Sequence, residues 1–299
     1  MLELQTAWGW LIALYLFLAG VSAGAYLSAF FAWYKRGDDN LTTRTGILIT
    51  LPCLILSIIF LFLDLGRPMN FVYAFLRPYS SVIAAGTWIL TLFFFICGIQ
   101  WLGYIRNKKL SSGSLLWGTG FVLAILTAFY TGVLLWDVRG VPFWNSFLVP
   151  LLFLASAIST GISAVLIGVF GFVSKKHDIN QEAENLKFLC HADMWGIGIE
   201  TCILIIYLVS MGWSSNAAAI ASVNRLLTGA LSLSFWFLVI VVGLVTPFYL
   251  EWKLKKIEEL SPKFISKGIL AGLCVFIGGF TLRYLILAAG ILGTSRNLL

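Results

Sequence analysis

Apolar residues run through this chain in long unbroken stretches, separated by short polar punctuation. A transmembrane helix needs about 20 consecutive apolar residues. Eight stretches meet that requirement, at roughly 8–34, 46–63, 80–104, 115–136, 147–173, 187–212, 226–250 and 265–293. They lack the two-residue alternation of a membrane β-barrel. The pattern predicts an all-α integral membrane protein with eight transmembrane helices. It forms a single polytopic domain over 1–299, arranged as two four-helix bundles, 1–145 and 146–299. The connections are too short to hold a soluble domain.

Composition agrees: 60% of residues are hydrophobic and only 11% charged, and the mean hydropathy is +0.95. The few charges are placed unevenly. Fourteen of the twenty Lys and Arg residues fall in alternate connections, around Lys35–Arg44, Arg106–Lys109, Lys175–Lys187 and Lys253–Lys267. Five sit on the other side (Arg67, Arg77, Arg139, Arg225 and Arg296), and Arg283 lies inside the eighth span. Positively charged loops stay in the cytoplasm. Both termini are therefore expected outside, on the periplasmic side of a bacterial or archaeal cytoplasmic membrane. The net charge of +7 reports that orientation and calls for no nucleic acid; lipid is the expected surrounding. No basic segment precedes the first span and no A-x-A-like site follows it, so it reads as a retained helix.

The five cysteines are scattered through apolar spans with no C-x-x-C pair and read as packing residues. A cluster held by this chain would need a Cys-rich run. The two histidines, His177 and His191, both lie near one side, a poor basis for a haem pair from facing helices. The expectation is no haem, no iron–sulfur cluster and no metal site in this chain.

Candidate chemistry falls in two places. The fourth span carries one phenol, Tyr130, about 9 Å below the interface that Trp136 marks. A hydroxyl at that depth needs a partner. It either bonds a neighbouring helix or meets a flat lipid-soluble ligand such as a quinone. Trp8 and Trp10 anchor the same side. Asp64 and Arg67 converge there, three residues apart at a span end closed by Pro68. They are a charged cap, or Asp64 receives or delivers protons beside a ligand.

The second place is the sixth span, FLCHADMWGIGIETCILIIYLVS. Asp193 and Glu200 share a face there, about 10 Å apart. Glu200 and Arg283 come out at similar depths, about 20 and 24 Å from the basic side, so an ion pair is allowed. Intramembrane charges are costly unless paired or functional. His191, Asp193, Glu200 and Arg283 are read either as a proton path or as a structural pair joining the sixth and eighth spans. The fifth span offers a small-residue surface (Ser156, Ser159, Thr160, Gly161, Ser163, Ala164, Gly168), and Gly20-x-x-x-Gly24 offers another. The seventh span and the segment EWKLKKIEELSPK read as topology with little chemistry.

In these segments the chain resembles the NrfD/PsrC family, the membrane subunits of polysulfide, thiosulfate and tetrathionate reductases and of related nitrite-reducing complexes. The resemblance rests on several segments in order. They are Trp10-to-Gly24, Asp64-Leu-Gly-Arg67-Pro68 with Phe71 and Pro78, Gly86-Thr-Trp88, Tyr130-Thr-Gly132 with Pro142-Phe-Trp-Asn145, Asp193 with Glu200, and Gly278-to-Tyr284. The resemblance implies a haem-free membrane anchor that exchanges electrons between menaquinone or ubiquinone and a four-cluster ferredoxin-like iron–sulfur subunit on the outer face. That subunit would relay them to a catalytic subunit, often a molybdopterin oxidoreductase. Tyr130 would touch the quinone head group, with Asp64 and Arg67 in the outer loop. This chain has no histidine in its first span, where some members carry a polar residue near the quinone; Gln5 is the nearest candidate there.

The competing reading is a proton-coupled secondary transporter built on Glu200 and Arg283. Inverted repeats and helices broken at the midplane would favour it. No repeat is evident, and Pro52, Pro150 and Pro247 are read as lying near span ends.

Overall fold

The computed structural model describes residues 3–37, 40–65, 81–106, 113–176, 179–254 and 262–293, the side chains of 172–183 and 262–263 excepted. Arg67, Pro68, Phe71, Pro78 and His177 lie outside them. The long helices are α1 (Trp10–Arg36), α2 (Leu41–Asp64), α3 (Val82–Ile105), α4 (Ser114–Trp136), α5 (Leu148–Lys176) and α6 (Ile179–Gly212). After the short α7 (Ala217–Leu227) come α8 (Ser232–Leu254) and α9 (Pro262–Ala288). Eight of these nine are long and apolar enough to cross a membrane, as the sequence predicts.

Helices α1 to α4 close one ring of contacts, and α5, α6, α8 and α9 close a second. The rings meet chiefly along α1 and α5. These two helices are the most enclosed, each 78% buried in its spanning window, against 28–61% for the other spans. Small residues make that seam. A Cβ on Gly24 would lie 2.0 Å from the Ala157 carbonyl oxygen, and one on Gly161 would lie 2.1 Å from the Gly24 carbonyl carbon. Lipid offers no hydrophobic drive for two helices to meet, so close backbone packing supplies the attraction. Outward faces carry Leu, Ile, Phe and Trp toward the lipid.

The described segments before α1 and after α9 meet on one side, called the terminal face below. Leu4 pairs with Ile291 in an isolated antiparallel bridge. Trp8 stacks on Trp144 at 5.3 Å, and Trp144 Nε1 donates to the Ile286 carbonyl at 2.8 Å. On the opposite face, Arg36 at the end of α1 pairs with Glu184 of α6.

Three details depart from the sequence reading. The eighth span ends at Ala288, before residue 293, because the residues just after it turn so that Ile291 meets Leu4. The seventh begins at Ser232, since the residues before it form α7. That helix is capped by Asn216, whose side chain accepts from Ala218 N, and it buries Ala218, Ala219, Ser222, Val223 and Leu226. Pro52 stands in mid-helix in α2, and Pro247 lies within α8 just after a π-helical run, Phe235–Val245. The wider π turn suits a residue with no N–H to give.

Gly24→Ala is expected to destabilise the detergent-solubilised protein by about 1–3 kcal/mol through overpacking. Gly98→Ala, where nothing lies within 4 Å of the added carbon, should leave the melting temperature unchanged. Equal melting of the two variants would remove the seam from its central place.

Candidate functional site

The first site lies inside the α1–α4 ring. Tyr130 is 7% exposed and Tyr15 fully buried. Their hydroxyls face one another across α4 and α1, yet Tyr15 Oη completes no well-directed hydrogen bond. The Tyr130 ring lies flat against the α3 backbone: a Cβ on Gly86 would fall 1.7 Å from its Cζ and 2.2 Å from its hydroxyl oxygen. Only glycine admits the phenol here. Gly132, two residues on, lets α4 approach Pro150 of α5, whose Cα would be 2.4 Å from an added Cβ. Next to Gly86, Thr87 and Leu90 line an apolar groove of about 520 Å³ between α2 and α3, with Ile58, Phe62, Thr91 and Phe94 among its other walls.

The other candidates of this half go elsewhere. The Gln5 amide donates to the Trp8 and Leu287 carbonyls, both at 2.9 Å, and its oxygen accepts from Trp8 N at 3.0 Å. Gln5 thus binds the terminal face together. Trp8 belongs to the same knot through Trp144, and Trp10 is on the surface, 58% exposed. Asp64 is half-buried at the end of α2. The residue that meets Tyr130 from the first span is Tyr15. Its only signal in the sequence is a polar atom inside an apolar run.

The second site runs down the α5–α6–α9 core. Ser156, Ser159 and Ser163 of α5 share one face. Asp193 accepts from Ser159 at 2.5 Å and from Ser163 at 2.7 Å. Two turns along α6, Glu200 is 4% exposed. The direct ion pair allowed by the sequence is not formed: the only salt bridge among the described residues is Arg36–Glu184. Ser156 stands between the two charges. Its hydroxyl accepts from Arg283 Nη1 at 3.0 Å and neighbours the Glu200 carboxyl. Arg283 also donates to the Gly279 carbonyl at 2.9 Å, and its guanidinium lies 5.3 Å from the Phe153 ring centre. Its Nη2 would sit 2.8 Å from a Cβ on Gly20, so this cation of the second ring rests against α1 of the first. His191 is half-buried, its Nδ1 3.2 Å from the Lys187 carbonyl.

The sequence reading misses Glu251. It takes EWKLKKIEELSPK for a linker, but α8 continues to Leu254 and Glu251 is 3% exposed. Its carboxyl is a hydrogen-bonding neighbour of Asp193. A span boundary drawn one residue too early hides a buried acid.

Known proteins match the sequence along nearly its whole length. A family described as "Polysulphide reductase, NrfD" matches residues 3–294. The protein belongs to the NrfD family. It is 33% identical to the C subunit of polysulfide reductase from Wolinella succinogenes, over 95% of its own length and 94% of that subunit's. It is 28% identical to the protein NrfD of Escherichia coli and to an NrfD homolog of Haemophilus influenzae, each over 95% of its own length and 94% of theirs. This NrfD-family protein is therefore a multi-pass membrane protein related to a subunit of a reductase complex.

Removing Glu200 alone leaves the Arg283 cation enclosed without its nearest anion. Glu200→Leu is expected to cost about 3–5 kcal/mol, and the double variant Glu200→Leu/Arg283→Met should recover most of it. Thermal unfolding in detergent reads both; additive losses would show that the two charges are uncoupled.

Proposed function

We propose that this protein is the haem-free, quinone-reactive membrane anchor of a respiratory oxidoreductase complex. It exchanges electrons between menaquinone or ubiquinone and a four-cluster ferredoxin-like iron–sulfur subunit docked on the terminal face, outside the membrane. Chemistry on the terminal substrate belongs to a further subunit of the molybdopterin type. The observation that carries the reading is the Tyr15–Tyr130 pair. Two phenols face each other in an apolar interior, one of them lacking a completed hydrogen bond, beside a lipid-facing groove. That arrangement fits a flat head group with carbonyl acceptors, and the groove fits its hydrocarbon tail.

In this reading Tyr130 donates to one quinone oxygen and Tyr15 orients Tyr130 or donates in turn. Gly86 keeps the phenol in place, Asp64 exchanges protons at the rim, and Arg67 supplies a fixed positive charge there. Quinol oxidation releases two electrons and two protons, and quinone reduction takes up the same. The second ring provides the proton route through His191, Asp193, Glu200 and Arg283. Arg283 rests at Gly20, five residues and about 7.5 Å along α1 from Tyr15. The relation to a polysulfide reductase subunit supports this reading over the transporter.

Purification from the native host in mild detergent tests it. An iron–sulfur subunit and bound quinone should co-purify, whereas a solitary protein without quinone would sink the proposal. Tyr130→Phe should lower quinone-linked turnover about tenfold, the loss of one hydrogen bond of about 1.4 kcal/mol, with the complex still assembled. Gly86→Ala should lower it too, by displacing the ring. Unchanged turnover in Tyr130→Phe would move the site elsewhere.

A further inference from the structure

The buried acids at the opposite-face end of the second ring form a group that the quinone chemistry alone does not use. Asp193 is fully buried and Glu251 is 3% exposed. They come from α6 and from the last turns of α8, which pack together there, and their carboxyls are hydrogen-bonding neighbours. Both Asp193 oxygens already accept from serines, Oδ1 from Ser159 and Oδ2 from Ser163. Glu251 has no such donors, and its Oε2 is buried without a partner. A cavity of about 30 Å³ reaches Glu251, walled by Lys187, His191, Met194 and Phe264 among others. A space of that size with Lys187, His191 and Glu251 in its wall has room and polar partners for about one or two waters.

Two carboxyls in contact inside a protein cannot both be ionised, so one proton belongs to the pair. The hydroxyl bonds favour the anion on Asp193. Among the described residues the other ionisable or charged neighbours are Lys187, Cys190, His191 and, two turns on, Glu200 from α6, with Arg283 of α9 beyond Ser156, and the described side chains of α5 contribute hydroxyls. Among the described residues no three His, Cys, Asp or Glu side chains gather as a metal site would need.

We infer that Glu251 and Asp193 form a proton-loading site: Glu251 carries the proton, takes it from water in the cavity beside His191 and Lys187, and passes it to Asp193 at the foot of the serine ladder. The proton leaves the Glu251 carboxyl as the Asp193 oxygen gains it, so charge is conserved within the pair and no redox partner is required. The use made of that proton rests on the quinone reading; its presence does not.

Infrared difference spectroscopy of the full-length protein, purified with its native partners and placed in lipid nanodiscs at neutral pH, tests the site without turnover. The wild type should show the carbonyl stretch of a protonated carboxylic acid that is absent from E251Q and kept in E200Q. It should shift on transfer to D2O, because the cavity admits water. If E251Q does not fold, wild-type protein grown with carbonyl-13C glutamate gives the same answer: the band should move, and with labelled aspartate it should stay. A missing acid band would overturn the proposal. So would a band that survives in E251Q, one that follows the aspartate label, or one that does not respond to D2O. Failure to find bound quinone would leave this result standing, and a missing acid band would leave the quinone site standing.

Discussion

The seam between α1 and α5 governs what the rest of the molecule can do. Gly24 and Gly161 bring two backbones so close that no side chain fits between them. Once those backbones touch, everything on their flanks is set in register. Tyr15 is carried on the upper part of α1 and Gly20 on its middle, while Ser156, Ser159 and Ser163 descend α5 beside them. Polar groups that lipid would reject find each other only because these two helices are enclosed on almost every side.

Two polar features thus share one scaffold without sharing residues. The phenol pair belongs to the first ring, and the serine ladder with its acids belongs to the second. Arg283 is the piece that reaches across. Its guanidinium binds Ser156 and the Gly279 carbonyl, yet it presses on α1 at Gly20. A larger residue at Gly20 would push on the ladder, and a shift of Arg283 would be felt on the helix that carries Tyr15. The coupling is one of packed atoms over a few ångströms.

The architecture is legible in the sequence because hydropathy reports which segments dissolve in lipid, and eight segments do. Asp193, Glu200 and Arg283 stand out in the sequence because charges inside such segments are rare, and Tyr130 because it is the one phenol of its span. What stays hidden depends on partners or on boundaries. Tyr15 looks like any aromatic residue until Tyr130 is seen opposite it. Glu251 falls one residue past a predicted span end at 250, and only the continuation of α8 to Leu254 turns it inward. Equal depth along two helix axes allows Glu200 and Arg283 to meet, but it cannot show that a serine from a third helix stands between them. Asn216 and the apolar spacing after it signal α7, a pattern easily lost beside longer hydrophobic runs.

The knot at the terminal face bears on how the protein is made. Gln5 and Trp144 lie far upstream of the carbonyls of Leu287 and Ile286, the acceptors they find at the end of α9. Until that span is in place, the indole has no internal acceptor, the amide has only the Trp8 carbonyl, and Leu4 has no Ile291 to pair with. The segment before α1 is thus fastened by the end of α9. Without α9 in place the Trp144 indole and one Gln5 amide hydrogen would lack their acceptors at the membrane surface, so closure of the knot reports that α9 has docked.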